Sequence, residues 1–399
     1  MKIVFFDINR LSYEGGAENY ISDVANEMHR QGHEVYYIGD YRWLLNIYIS
    51  LGALIGACSW SEAKKARSHL RKQPTLRPID RKKIKPWQLT SACFMPGSKK
   101  RRQTKELLES ADMIFVKNEV FEMWALNMLT RRVSKSLILF SSPEYPDAKT
   151  FRARLHNFFY TGWIYRRLLS DYKNLIVSND LDKKFLLRKM RRPTQQIKKV
   201  PYGLKDEDFC PIRTSGSPDK FRVLFAGRLE EQKGVDFLIE TIYNLMSTSN
   251  FEKLSFTIAG EGHYRHDLEK LARRYSQVKL IGLVPKEEMN QLYNSHDLVV
   301  ITSRWETFCY TCLEAQSCGI PVVSFDVSGP NEMILDRKTG RLIKPGDVNS
   351  FAQAIKGFYN LNFTDQDKFV QIKEAAHRHM QDNFSLAKVV ADLLEISKD

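Results

Sequence analysis

Short apolar runs alternate with longer stretches of helical spacing along most of the chain. Residues 2–7 form an apolar run that reads as a first strand, too short for a signal peptide. From Gly15-Gly16-Ala17-Glu18 to about Gln31, the apolar residues Tyr20, Ile21, Val24, Ala25 and Met28 keep helical spacing. Gly32-His33 then turns the chain into a strand over 34–38. The alternation resumes with a helix over 103–110, a strand over 112–116, a helix over 118–130 and a strand over 136–140. Strand 174–178, helix 180–190 and strand 197–200 close this half. Strands over 222–226, 254–259, 278–281, 298–301 and 321–325 follow, with helices from about Val235 and over 310–318. Helices near 348–360, 365–382 and 385–396 finish the chain. Strand–helix alternation of this kind predicts an α/β protein with parallel sheets.

Two segments break the pattern. Trp43–Trp60 is apolar with aromatic ends, at the short limit for spanning a bilayer. Residues 60–105 then carry fifteen Lys and Arg against two acids, Glu62 and Asp80. Together they read as a membrane-surface insertion, or as a buried helix followed by a solvated basic loop. Residues 151–173 are also aromatic and basic, and read either as a lipid or acceptor contact or as a half-buried helix.

The 399 residues suffice for two domains, and a net charge of +14 asks for an anionic partner. Six cysteines show no disulfide framework, which fits a reducing cytoplasm. Cys309-x-x-Cys312 lacks a second pair or a His cluster, so its spacing is read as coincidental rather than zinc-binding or redox. No nucleic-acid recognition motif accompanies the charge, which leaves nucleic-acid binding as an unsupported alternative. The Gly-x-Gly-x-x-Gly fingerprint is absent after the first strand, against a nucleotide-dependent oxidoreductase.

Candidate chemistry sits in the loops after strands. Ser303–Thr307 lies at a strand's carboxyl end, where open parallel sheets bind ligands. Glu306 in this loop and Glu314 in the next helix could hold two hydroxyl-bearing parts of one ligand; alternatively Glu306 caps the helix and Glu314 is solvated. Arg228 and Lys233 flank another strand-to-helix turn and could reach a diphosphate, or be loose surface charges.

The Glu306-x7-Glu314 spacing, followed by Leu313-Glu314-Ala315 and Cys318-Gly319-Ile320-Pro321-Val322-Val323, resembles retaining glycosyltransferases of glycosyltransferase family 4. Gly15-Gly16-Ala17-Glu18 with Gly32-His33-Glu34-Val35, the linker-like Val200-Pro201-Tyr202-Gly203-Leu204 and the Gly227-Arg228 to Lys233-Gly234 loop stand in the family's order. The chain departs from it at Thr307 and Cys309, where the family commonly has Gly. No His lies between 70 and 155, where many members carry one near the transferred sugar; Ser142 or Glu144 are possible acceptor-side substitutes.

The resemblance implies the GT-B fold, two Rossmann-like domains facing a central cleft. Residues 1–205 would bind acceptor, with 380–399 packing back on them, and 206–379 would bind the nucleotide sugar. It implies that Glu306 contacts the donor sugar, Glu314 the ribose, and Arg228, Lys233 and the Gly16 amide the diphosphate, with Gly15 also in the donor site. Phe308, Cys309, Tyr310 and Thr311 would also line the donor site, and the loops at Gly260 and Val284 the base pocket. The implied activity is metal-independent hexosyl transfer with retention, from a UDP- or GDP-sugar and without a cofactor. The acceptor suited to the charge is a lipid-linked glycan in polysaccharide or glycoconjugate biosynthesis, reached peripherally at the cytoplasmic membrane face, with a soluble acceptor as the alternative.

Overall fold

A computed structural model describes residues 1–6, 16–39, 84–88, 93–130, 136–140, 162–188, 190–193, 197–212, 220–246 and 253–396. Contacts divide the chain into two units, Met1–Pro201 with Val389–Asp399, and Tyr202–Lys388. The stretch after Pro201 joins the second unit through backbone. Leu204 N–H donates to Phe384 O at 3.1 Å, and Leu386 N–H donates to Leu204 O at 2.8 Å.

The first unit holds β1 (Lys2–Phe6), α1 (Gly16–Arg30), β2 (Glu34–Gly39), β3 (Lys85–Gln88), α2 (Lys99–Glu109), β4 (Met113–Lys117) and α3 (Val120–Leu129). It continues with β5 (Ser136–Phe140), α4 (Trp163–Ser170), β6 (Asn174–Val177), α5 (Asp180–Arg188) and β7 (Ile197–Lys199). Its sheet runs β3-β2-β1-β4-β5-β6-β7, every pairing parallel. Both faces are covered, so β1 and β4 read as near-continuous apolar runs.

Strand β3 corrects the expectation of one basic insertion over 43–105. Lys85–Gln88 pairs with β2, and α2 begins at Lys99. The anchor is aromatic: Trp87 Nε1 donates to Thr104 Oγ1 at 3.1 Å, and Lys100 Nζ lies 4.1 Å from the Trp87 ring centre. Lys85 pairs with Glu34 at 2.6 Å. The rest of that expectation, Trp43–Trp60 and the basic residues 60–83, lies outside the described residues. Among the described residues no helix is long and apolar enough to cross a membrane. Within 151–173, α4 has a core face: Tyr165 and Leu169 are buried, and the Tyr165 hydroxyl donates to Asn118 O at 3.2 Å.

The second unit holds β8 (Phe221–Ala226), α6 (Val235–Met246), β9 (Leu254–Ala259), α7 (Arg265–Arg274), β10 (Val278–Gly282), α8 (Lys286–Asn294) and β11 (Leu298–Ile301). Then come α9 (Tyr310–Ser317), β12 (Val322–Phe325), α10 (Pro330–Met333), β13 (Gly340–Ile343), α11 (Val348–Thr364) and α12 (Gln366–Phe384), and α13 (Leu386–Ile396) runs on from there. The sheet order is β10-β9-β8-β11-β12-β13, again all parallel. Strand order reverses between β8 and β11, which is where a doubly wound sheet opens a crevice at its carboxyl ends. Helix α10 is a single short turn after β12; Pro330 supplies its start, where a missing N–H costs nothing.

Candidate functional site

The loops leaving β8 and β11 meet at this switch point. Between Ala226 and α6 the chain makes one short 3-10 turn, Glu231–Lys233, and ends it at Gly234 in a left-handed conformation. A Cβ on Gly234 would sit 1.9 Å from Thr302 O, so only glycine lets the turn rest on the end of β11. Thr302 answers with its own hydroxyl, donating to Lys233 O at 2.9 Å.

That contact brings Lys233 and Glu306 together. Lys233 Nζ donates to Glu306 Oε1 at 2.6 Å, and Ser303 Oγ donates to the same oxygen at 2.6 Å. The Glu306 side chain is only 6% exposed and that of Lys233 19%. The capping reading of Glu306 is therefore incomplete, because its carboxylate is engaged by a cation and a hydroxyl. Arg228 is exposed and donates to Gln232 Oε1 at 2.7 Å; Gln232 in turn donates to Trp305 O at 3.3 Å. Both cations thus lie on the β8 loop and face the β11 loop through named hydrogen bonds.

A fork on the outer side braces the two loops. Arg304 donates to Asp236 Oδ1 and Oδ2 at 2.7 and 2.6 Å and to Glu231 O at 3.0 Å. Its guanidinium also lies 4.3 Å from the Phe237 ring centre. The arginine holds the Asp236 carboxyl below its ordinary range. Neither residue stands out in the sequence, since an isolated Arg and Asp sixty-odd residues apart carry no spacing signal.

Helix α9 starts where Cys309 takes a left-handed φ of 76°, a conformation that glycine adopts without strain. Cys309 and Phe308 are buried, and the rings of Phe308 and Tyr310 pack on Tyr202 with centroids 4.8 and 5.8 Å away. Burial pushes the Cys309 thiol well up and that of Cys312 to about 12; both are free thiols. Thr311 Oγ1 donates to Ala226 O at 3.3 Å, tying the helix start to the end of β8.

Glu314 lies one turn further on, away from the ion pair. Its carboxyl is enclosed while the residue keeps some surface, and burial raises it to about 7, opposed by the Tyr293 hydrogen bond. The Tyr293 hydroxyl donates to Glu314 Oε2 at 2.8 Å. The solvated-helix reading of Glu314 is corrected by this contact. Gly260 ends β9 at φ 141°, with room for a Cβ closed by Gly227 O at 1.9 Å. Val284 is half-buried against the apolar cluster of α9.

Among the first-unit candidates, Gly16 opens α1. Gly15, Ser142 and Glu144 lie outside the described residues. Among the described residues no three His, Cys, Asp or Glu side chains group as metal ligands.

The family model described as glycosyl transferases group 1 matches residues 212–378. The chain is 30% identical over 206 residues to an alpha-D-kanosaminyltransferase of Streptomyces kanamyceticus, covering 49% of this chain and 53% of that one. The chain spans about half the length of the curated relatives it matches first. Sucrose-phosphate synthase from Thermosynechococcus elongatus superposes with a TM-score of 0.69 at 16% identity, covering 100% of this chain and 98% of that one. HepE of Anabaena in complex with UDP superposes with a TM-score of 0.68 at 16% identity, covering 99% of each. The chain therefore has the fold of the GT-B glycosyltransferases, and residues 212–378 match the glycosyl transferases group 1 family.

Proposed function

We propose that this protein is a retaining glycosyltransferase of family 4, moving a sugar from a UDP- or GDP-sugar to an acceptor hydroxyl without a bound divalent metal. The observation that carries it is the 2.6 Å contact of Lys233 with Glu306 at the sheet's switch point, inside the matched domain. As the sugar departs, negative charge builds on the nucleotide diphosphate. Lys233 and Arg228, on one turn, stabilise that charge. Glu306, released from Lys233 by the incoming phosphate, turns to the sugar hydroxyls. Glu314 accepts from the ribose. In a front-face reaction the leaving phosphate takes the acceptor proton, so no protein base is required at the missing His. The solved complexes of HepE with UDP, and with UDP and glucose, support a nucleotide-sugar donor by likeness of fold.

For the acceptor we propose a lipid-linked glycan at the cytoplasmic membrane face, on the strength of the +14 charge. One observation favours a soluble acceptor instead: Lys85 and Lys100 of the basic run are used internally, on Glu34 and Trp87.

The test is proton NMR of products formed from UDP- and GDP-sugars with lipid-linked and free glycans, after EDTA dialysis. An α-linked product from an α-linked donor is expected. Inversion, or activity restored only by manganese, would refute the corresponding part.

A further inference from the structure

Tyr293 is fully buried in α8, on neither of the two charged loops. Packing explains its ring, which meets Phe209 edge-on with centroids 6.1 Å apart. Packing does not explain its hydroxyl. That group donates to Glu314 Oε2 at 2.8 Å. A buried phenol flanked by a carboxylate stays protonated, so it remains a donor at any working pH. Among the described residues, no other hydrogen bond engages the Glu314 carboxylate. One of its oxygens is thus committed, and the other is left to accept from a ligand.

We propose that Tyr293 is a positioning residue: by fixing Oε2 of Glu314 it aims Oε1 at a ribose hydroxyl, and so sets the preference for ribonucleotides over deoxyribonucleotides. This rests on the reading of Glu314 as the ribose partner. Without the tyrosine hydroxyl the carboxylate can rotate, and it loses the hydrogen bond that opposes its protonation. Either change weakens the contact with the ribose without touching base or diphosphate.

The experiment is calorimetric titration of the full chain with UDP, GDP and their 2′-deoxy and 3′-deoxy forms. Wild type should prefer the ribo form by on the order of tenfold, the value of one hydrogen bond to a charged group. Tyr293→Phe keeps the ring and should cut that preference to roughly threefold or less, while its deoxynucleotide affinity stays near wild type. In a Glu314→Ala background, Tyr293→Phe should change nothing further. Full preference retained in Tyr293→Phe overturns the proposal, as does equal weakening of ribo and deoxy forms, which marks a packing role. Absence of any ribose preference in wild type removes the ribose reading of Glu314 itself, and the proposal with it.

Discussion

Lys233 Nζ and Glu306 Oε1 lie 2.6 Å apart although 73 residues separate them in sequence. Under the proposed function this cation serves the diphosphate, and until one arrives it neutralises the carboxylate assigned to the sugar. The two loops are joined by this pair on one side and by the Arg304–Asp236 fork on the other.

Removing the lysine should therefore show in stability as well as in turnover. Lys233→Ala leaves the Glu306 carboxylate, 6% exposed, with the Ser303 hydroxyl as its remaining hydrogen-bond partner among the described residues. Denaturant unfolding should register a loss of about 1–3 kcal/mol. Glu306→Gln placed on top should recover part of it, since the uncompensated charge is gone. Transfer should fall tenfold or more in Lys233→Ala. A variant as stable and as fast as wild type would mean the pair is incidental.

The Arg304–Asp236 fork is half-exposed, with side chains 30% and 38% accessible. Each single alanine variant should lower stability by about 0.5–1 kcal/mol, and the double variant by little more than the larger single loss. The lowered Asp236 carboxyl gives stability that is present above the ordinary carboxylate range and lost as pH falls through its folded value. Asp236→Asn should flatten that acid limb of a melting-temperature profile. Additive losses would place the two residues in separate interactions.

Gly227 and Gly260 face each other but should respond differently. A Cβ on Gly260 meets Gly227 O at 1.9 Å at a φ of 141°, whereas one on Gly227 finds nothing nearer than the Lys233 side chain at 3.9 Å. Gly260→Ala should cost about 2 kcal/mol or more, and Gly227→Ala less than about 1. Comparable melting temperatures for the two variants would contradict this packing.

Glu314 gives the pH dependence. Its carboxyl is raised to about 7, so the protonated form favours the folded state; that stability is complete below the ordinary carboxylate range and is lost as pH rises through about 7. Glu314→Gln should remove this slope. Tyr293 and Cys318, its neighbours, are pushed upward by burial and stay protonated in this window, and Lys286 acts on it as a nearby cation. Nucleotide binding should move the other way, because the carboxylate accepts from a hydroxyl more strongly than the acid does. The ratio of wild-type to Glu314→Gln affinity should rise from about pH 6 to about pH 8. A flat ratio would show that Glu314 is not in contact with the nucleotide.

Much of this architecture is legible in the sequence because parallel strands buried on both faces write apolar runs, as in Leu298–Ile301, while Leu254–Ala259 alternates its apolar residues with Ser255 and Thr257. What escapes is what has no period. Strand β3 is four residues long, with Lys85 and Pro86 at its start, and is recognisable only once Trp87 meets Thr104. Helix α7 is mostly charged and buries only Leu268 and Leu271, too few to mark a face. Strand β13 opens Gly340-Arg341, which hides an edge strand beside β12. In the site, Glu306, Glu314, Arg228 and Lys233 could be singled out as candidates from their loops and spacing, and the family resemblance implied their roles. Ser303, Arg304, Asp236 and Tyr293 could not, because their partners come from other elements and only the folded chain pairs them.

The most direct measurement is titration of UDP and GDP into wild type, Glu306→Gln and Glu314→Ala by calorimetry. One of the two nucleotides should bind wild type, bind Glu306→Gln about equally well, and bind Glu314→Ala on the order of tenfold more weakly. Failure of both nucleotides to bind wild type, or equal losses in the two variants, would contradict the assignment of Glu306 to the sugar and Glu314 to the ribose.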